Sequence, residues 1–313
     1  MSARVLLNPG AGRGRGARLR ARLVALARRA GIALEESADA EDLTARAARA
    51  AGEGVERLLV AGGDGTWHHA ARGLAGSETA LAPLPAGTGN DLARSLGFPL
   101  ALEAAFDAAL VAPRMRIDLG LAGDRPYCGV AGAGFDGAVA EYARQRVRRL
   151  RGPAVYTWAT LATLATFRPP RATVELASGL RIEEEVYFVA FANTPFFGGG
   201  MRVAPGADPA DGRLEVVIVR RISKLRLLAL FPRVYVGRHV GHTACRIEST
   251  EAARLAFDSP QAVVGDGERL GSAGPAGIDF AVRRQGLAVV GRPVAPADRN
   301  RPGGRLSGGP REG

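Results

Sequence analysis

Residues 57–66 read Arg-Leu-Leu-Val-Ala-Gly-Gly-Asp-Gly-Thr, an apolar run that ends in a glycine-rich turn. A helical pattern follows it as far as Leu74. Strand, glycine turn and helix in that order gather unpaired N–H groups and partial positive charge at one point, which suits a phosphate. Glycines at such a point let the backbone approach a ligand closely and adopt positive φ. The Asp64 carboxylate in the same turn opposes a bare phosphate unless a magnesium ion or a hydroxyl partner stands with it. Taken alone, the turn can also be read as a mere tight connection, the lesser of the two readings.

The same unit recurs on both sides. Arg4–Leu7 is a short apolar run closed by Asn8-Pro9-Gly10, and Leu19, Leu23 and Leu26 then predict a helix that Gly31 stops. Ile32–Leu34 begins a second strand, a helix runs from Leu43 to Ala51, and Leu81–Leu84 reads as a fourth strand. Alternating strands and helices predict a mostly parallel, open, doubly wound α/β sheet. This N-terminal domain is expected over residues 1–115, completed by a segment returning near 286–293. From Arg114 strands dominate, at Arg116–Ala122, Tyr127–Ala131, Ala172–Leu176, Val186–Ala192, Leu214–Val219, Ala244–Ile247, Arg254–Phe257 and Ile278–Val282. Helical stretches interrupt them near 137–167 and 222–232. The pattern predicts a C-terminal β-sandwich-like domain over 116–285. The Pro/Gly/Arg-rich residues 296–313 read as a disordered tail.

In an open α/β sheet, ligands bind outside the carboxyl ends of the strands. Asn8–Gly14, Gly62–Thr66 and Pro85–Asp91 all fall there, so together they predict a cradle for nucleotide phosphates. No GxxxxGK[ST] run is present, which excludes a P-loop enzyme.

Composition narrows the class further. With 313 residues, 47% hydrophobic and 23% charged, the chain is neither disordered nor fibrous. Cys128 and Cys245 stand too far apart in sequence for a CxxC unit, which argues against a disulfide scaffold or a cysteine zinc site. The stretch most like a membrane span, Gly152–Phe167, is uncharged but shorter than the ~20 apolar residues of a bilayer crossing. A reduced, cytoplasmic setting is therefore expected. The net charge of +11 is clustered in residues 144–151, in 220–246 and in the tail. Such clusters suit an anionic partner, or are simply solvated arginine faces.

The runs NPGAG (8–12), GGDGT (62–66) and PAGTGND (85–91), in this order, resemble the catalytic domain of the diacylglycerol kinase and sphingosine kinase family of lipid kinases. The likeness continues through GAGFD (132–136), VAPGADPADGRL (203–214) and GDGE (265–268), and covers roughly residues 3–293. It implies an active site in the cleft between a nucleotide domain and a lipid-holding sandwich. ATP contacts would be Asn8, Pro9, Gly10, Ala11, Gly12, Ser37, Gly62, Gly63, Asp64, Gly65, Thr66 and Thr88. Glu268 would be the general base on the lipid hydroxyl, and Asp64 would organise Mg²⁺, its waters or that hydroxyl. Asp136 would lie on the lipid side, although a helix N-cap explains it equally well. A structural Mg²⁺ would take the Asp211 carboxylate and backbone oxygens of Asp208 and Arg213; without the resemblance, that loop is a turn. Where relatives carry GGDGTxxE, this chain has His69, preceded by His68.

The implied activity is transfer of the γ-phosphate of ATP to a membrane lipid, foremost diacylglycerol to give phosphatidic acid. The protein would then be peripheral to the inner face of an anionic membrane, without a nucleic-acid partner, and a homodimer stays open. Two rival readings remain. An NAD kinase shares the GGDGT turn, but its second Thr/Gly/Ser-rich signature is not found. A non-catalytic basic module for lipid or nucleic acid leaves Glu268 and the three loops without a purpose. Ile222, Leu225, Leu228 and Leu230, interleaved with Arg220, Arg221, Lys224 and Arg226, predict either an interfacial helix or one packed on the β domain.

Overall fold

The computed structural model describes residues 2–135, 137–139, 142 and 162–294. Strands β1 (Ala3–Leu7), β2 (Ala33–Glu36), β3 (Arg57–Gly62) and β4 (Ala80–Pro85) run parallel in the order β2-β1-β3-β4. Between and after them lie α1 (Ala11–Ala30), α2 (Ala40–Gly52), α3 (Asp64–Leu74), α4 (Asp91–Ser95) and α5 (Leu102–Val111). Every residue of β3 and β4 is buried, as expected of central parallel strands covered on both faces. Leu23 and Leu26 of α1, Leu43 of α2 and Trp67 of α3 close the core against Leu58, Leu59 and Leu81. Gly31 ends α1 in the left-handed conformation, φ 66°, which a glycine adopts without steric cost.

The second half is built from β5 (Arg114–Ala122), β6 (Arg125–Tyr127), β7 (Val130–Gly134), β8 (Arg171–Leu176), β9 (Arg181–Ala192) and β10 (Leu214–Arg220). It continues through α6 (Lys224–Tyr235), β11 (Cys245–Thr250), β12 (Ala252–Phe257), β13 (Gln261–Gly265), β14 (Glu268–Ala273) and β15 (Ile278–Val290). The long strand β9 joins two sheets: Arg181–Glu185 pairs with β8, while Val186–Ala192 pairs with β10 and, from Phe188, also with β7. Between the sheets Phe191 stacks on Phe280, ring centroids 3.7 Å apart, in an apolar core with Val189, Val216, Leu255 and Val263. This is the expected α/β plus β-sandwich-like architecture.

Two strands tie the halves together. The antiparallel pair β5–β15 runs through both, and a register shift between Arg283 and Leu287 turns β15 toward β4, which it meets in parallel at Val289 and Leu81. Gln285 takes φ 48° at that bend. The two halves are therefore joined by continuous backbone.

Several elements differ from the sequence expectation. The single run Tyr127–Ala131 is two strands, β6 and β7, broken at Cys128-Gly129. The hairpin β13–β14 was not anticipated, because its residues carry too little apolar alternation to register as strands. The expected helix near 222–232 lies at Lys224–Tyr235. Leu230, expected on its exposed apolar side, is buried, and Arg220 and Arg221 are ion-paired to Glu184 and Glu185. The expected tail, Asp136 and most of the helical stretch 137–167 lie outside the described residues.

Candidate active site

The carboxyl ends of β1, β3 and β4 carry the three glycine loops, and these loops pack on one another. Asn8 donates through Nδ2 to the Thr66 hydroxyl at 3.0 Å, and its Oδ1 accepts the Gly10 N–H at 3.0 Å. The Gly62 carbonyl accepts the N–H groups of Ala86 and Gly87. A Cβ placed on Gly87 would stand 2.6 Å from the Gly63 Cα, so the two loops touch backbone to backbone. Gly12, at φ 58°, abuts the Ala86 carbonyl in the same way. Neither Gly10 before α1 nor Gly63 before α3 provides a side-chain cap. Two helix N-termini thus leave N–H groups for an anion at the same place.

Thr88 is exposed at the tip of the third loop. Ser37 is buried just beyond β2, where its N–H and hydroxyl both point at the Leu7 carbonyl, one residue from Asn8. Gly87→Ala should cut nucleotide affinity and lower Tm together, since the new methyl meets backbone rather than a mobile side chain. Titration calorimetry with a nonhydrolysable ATP analogue, alongside a melt, checks this; unchanged affinity removes Gly87 from the cradle.

Beside the cradle lies a group of carboxylates in which Asp91 and Asp266 join the expected Asp64 and Glu268. Asp64, the first residue of α3, accepts the Leu92 N–H at 3.1 Å. Burial, and then the neighbouring Asp91 carboxylate, push its carboxyl up to about 7, against the pull of the Leu92 and Asp91 N–H groups. Asp91 is itself raised by burial, and accepts the N–H groups of Gly199 and Gly200 at 2.8 and 2.7 Å. A loop of the sandwich domain is thereby fixed to the nucleotide domain.

Asp266, in the turn between β13 and β14, accepts the N–H groups of Cys128 and Gly129 at 2.6 and 2.9 Å. Its other neighbour is His68, with Nδ1 at 3.3 Å. The break between β6 and β7 falls at those two amides, which donate to Asp266 in place of a strand partner. Two residues on, Glu268 extends to the N-terminus of α3: its Oε1 lies 3.2 Å from where a Gly65 Cβ would stand and 3.7 Å from His69 Nε2. Burial lowers the His69 imidazole, opposed by Glu268, and so disfavours its charged form.

The loop 203–214 has its own anchor. Its Asp208 and Asp211 carboxylates accept the N–H groups of Ala210 and Arg213, each two residues ahead. The buried Asp118 anchors it, taking the Gly212 N–H at 2.7 Å and donating its own N–H to the Pro209 carbonyl. Among the described residues, no three side-chain donors come close enough together to hold a metal ion unaided.

The arrangement has known relatives. Residues 2–122 match the diacylglycerol kinase catalytic domain, and residues 129–291 match the YegS C-terminal NAD kinase beta sandwich-like domain. The diacylglycerol kinase of Mycobacterium tuberculosis is 34% identical over 243 residues, covering 75% of this chain and 78% of its own. The chain belongs to the bacterial diacylglycerol kinase and YegS-like family of lipid kinases. It is thus a phosphotransferase that uses ATP and acts on the alcohol group of a lipid.

A probable YegS-like lipid kinase of Chromohalobacter salexigens is also 34% identical, over 58% of this chain and 60% of its own. In fold, this lipid kinase is similar to a putative diacylglycerol kinase from Bacillus anthracis, with a TM-score of 0.75, 19% identity, and 93% and 95% of the two chains covered. The N-terminal match separates it from the NAD kinase alternative, whose fold the sandwich domain shares. No described helix is long and apolar enough to cross a membrane.

Proposed function

We propose that this lipid kinase phosphorylates diacylglycerol to phosphatidic acid at a membrane surface, using Mg²⁺ with ATP. The observation that carries the reading is the meeting of uncapped α1 and α3 N-termini with Asp64, Asp91 and Glu268 at the carboxyl ends of the parallel strands. The substrate follows the relatives from Mycobacterium tuberculosis and Staphylococcus carnosus, both named diacylglycerol kinase. Because diacylglycerol stays in the bilayer, the enzyme works as a peripheral membrane protein.

The residues divide the work. Asn8 to Gly12 and Gly62 to Thr66 hold the phosphates with backbone N–H groups, while Thr88 and Ser37 complete the nucleotide side. Glu268 accepts the proton as the lipid oxygen bonds to the γ-phosphorus and the bond to ADP breaks. Asp64 and Asp91, crowded and held toward the neutral form by burial, fit a cation that arrives with the nucleotide and few protein ligands. When bound, that Mg²⁺ neutralises phosphate charge. Asp136 is assigned to the lipid side on the family resemblance.

A structural cation at the Asp211 carboxylate and the backbone oxygens of Asp208 and Arg213 belongs to the same reading. The oxygen-rich turn suits a hard cation. Chelation should then lower Tm of the wild type and leave Asp211→Asn unaffected; equal shifts in both would remove this site.

The test of the function is phosphorylation from labelled ATP in mixed micelles containing diacylglycerol, monoacylglycerol or a sphingoid base. Labelled phosphatidic acid as the dominant product is expected. Dominant labelling of another lipid would correct the substrate, and no labelled lipid would overturn the reading.

A further inference from the structure

Helix α6 presents an apolar face that nothing in the described chain covers. Leu225, Leu228, Phe231, Tyr235 and Val236 are between 41% and 81% exposed. They are five of the eight exposed large apolar side chains among the described residues. Their spacing of three to four residues, closed by Val236, puts them along one side of the helix. Phe231 and Tyr235 meet edge to face at 6.0 Å. Such a patch on an isolated domain costs solubility and marks a contact surface.

The charge carried by this stretch of sequence is of one sign. No acid occurs in sequence between Glu215 and Glu248. Arg220 and Arg221 are already paired with Glu184 and Glu185, and Lys224 donates to the Ala165 carbonyl. Arg226, Arg233 and Arg238 are exposed and have no ion-pair partner among the described residues. Their complement is a surface that is apolar within and anionic at its boundary. A bilayer with anionic headgroups is such a surface.

The helix is also mechanically continuous with the cleft. Its Val234 carbonyl accepts the Arg202 N–H, and Val234, like Met201, packs against the apolar cluster that holds Val203. Residues 197 and 201 pair across a tight turn, and between them lie the Gly199 and Gly200 N–H groups that hold Asp91.

We infer that α6 is the membrane-docking element of this enzyme, inserting Leu225, Leu228, Phe231, Tyr235 and Val236 among anionic lipids while Arg226, Arg233 and Arg238 contact headgroups. The inference rests on the lipid-kinase reading for its meaning, but docking itself requires neither ATP nor a phosphorylatable lipid.

Sedimentation with vesicles of phosphatidylglycerol and phosphatidylcholine, free of diacylglycerol and ATP, tests it separately from activity. Leu225→Glu with Phe231→Glu should weaken binding at least about tenfold. Arg226→Gln, Arg233→Gln and Arg238→Gln together should weaken it roughly a hundredfold and flatten its salt dependence, at about 1 kcal/mol per cation. Both variants should keep wild-type activity on a short-chain, water-soluble diacylglycerol. As a check independent of variant folding, wild-type binding should fall with added salt and be weak on pure phosphatidylcholine. Vesicle binding equal to wild type in both variants overturns the inference. So does a wild-type dimer that the glutamate variant dissociates without loss of vesicle binding, since the face would then join two copies.

Discussion

Glu268→Gln is expected to lower kcat for lipid phosphorylation by about 10²–10⁴ while ATP binds nearly as it does to the wild type. Glutamine keeps the shape and one acceptor oxygen but takes up no proton. The carboxylate stands at the start of β14, half-exposed, with Gly65 beneath it and His69 beside it. Gly65 is one residue into α3, so the carboxylate reaches the same helix end that leaves N–H groups for phosphate. His69 is instructive here. A carboxylate at that position, as in the GGDGTxxE pattern, would set like charges close to Glu268; an imidazole, whose charged form is a cation, does not. Measuring ATP affinity by calorimetry and turnover at saturation separates the roles. Lost affinity with normal saturated turnover would move Glu268 to the nucleotide site.

The nucleotide half was legible because its signals are local. A buried strand, a glycine turn and an amphipathic helix occupy adjacent residues, and β3–Gly62–Asp64–α3 follows them closely. The other half of the cleft depends on pairings that sequence order hides. Asp91 was visible in PAGTGND, but its partners Gly199 and Gly200 are 108 and 109 residues away. Asp266 and His68 are 198 residues apart. The Cys128-Gly129 break is invisible in an apolar run, since the carboxylate that takes those amides arrives from β13–β14, 138 and 137 residues away. Arg220 and Arg221 looked available for a membrane, and register alone revealed their partners: β9 and β10 lie antiparallel, which brings Glu184 and Glu185 alongside.

Asp64→Asn is expected to lower kcat by about 10² or more, the scale of losing a preorganised electrostatic group, and to make the fold more stable. The second effect follows from the protonation of the wild type. In the unfolded chain an aspartate loses its proton near pH ~4, whereas folding holds the Asp64 proton up to about 7. Between those values the folded state binds the extra proton, so stability falls as pH rises through the window, and above it the full penalty is present. Asparagine has no proton to lose and still accepts from the Leu92 N–H. After discounting for partial solvent access, the gain at about pH 8 is roughly 1–3 kcal/mol. That is a few degrees in Tm, shrinking toward zero near pH ~4. A carboxylate kept for structure would show the reverse, because its removal would cost stability where it is ionised. A variant melting below wild type at alkaline pH, or turning over normally with saturating Mg·ATP, would show that Asp64 is held in place for the fold and not for phosphoryl transfer.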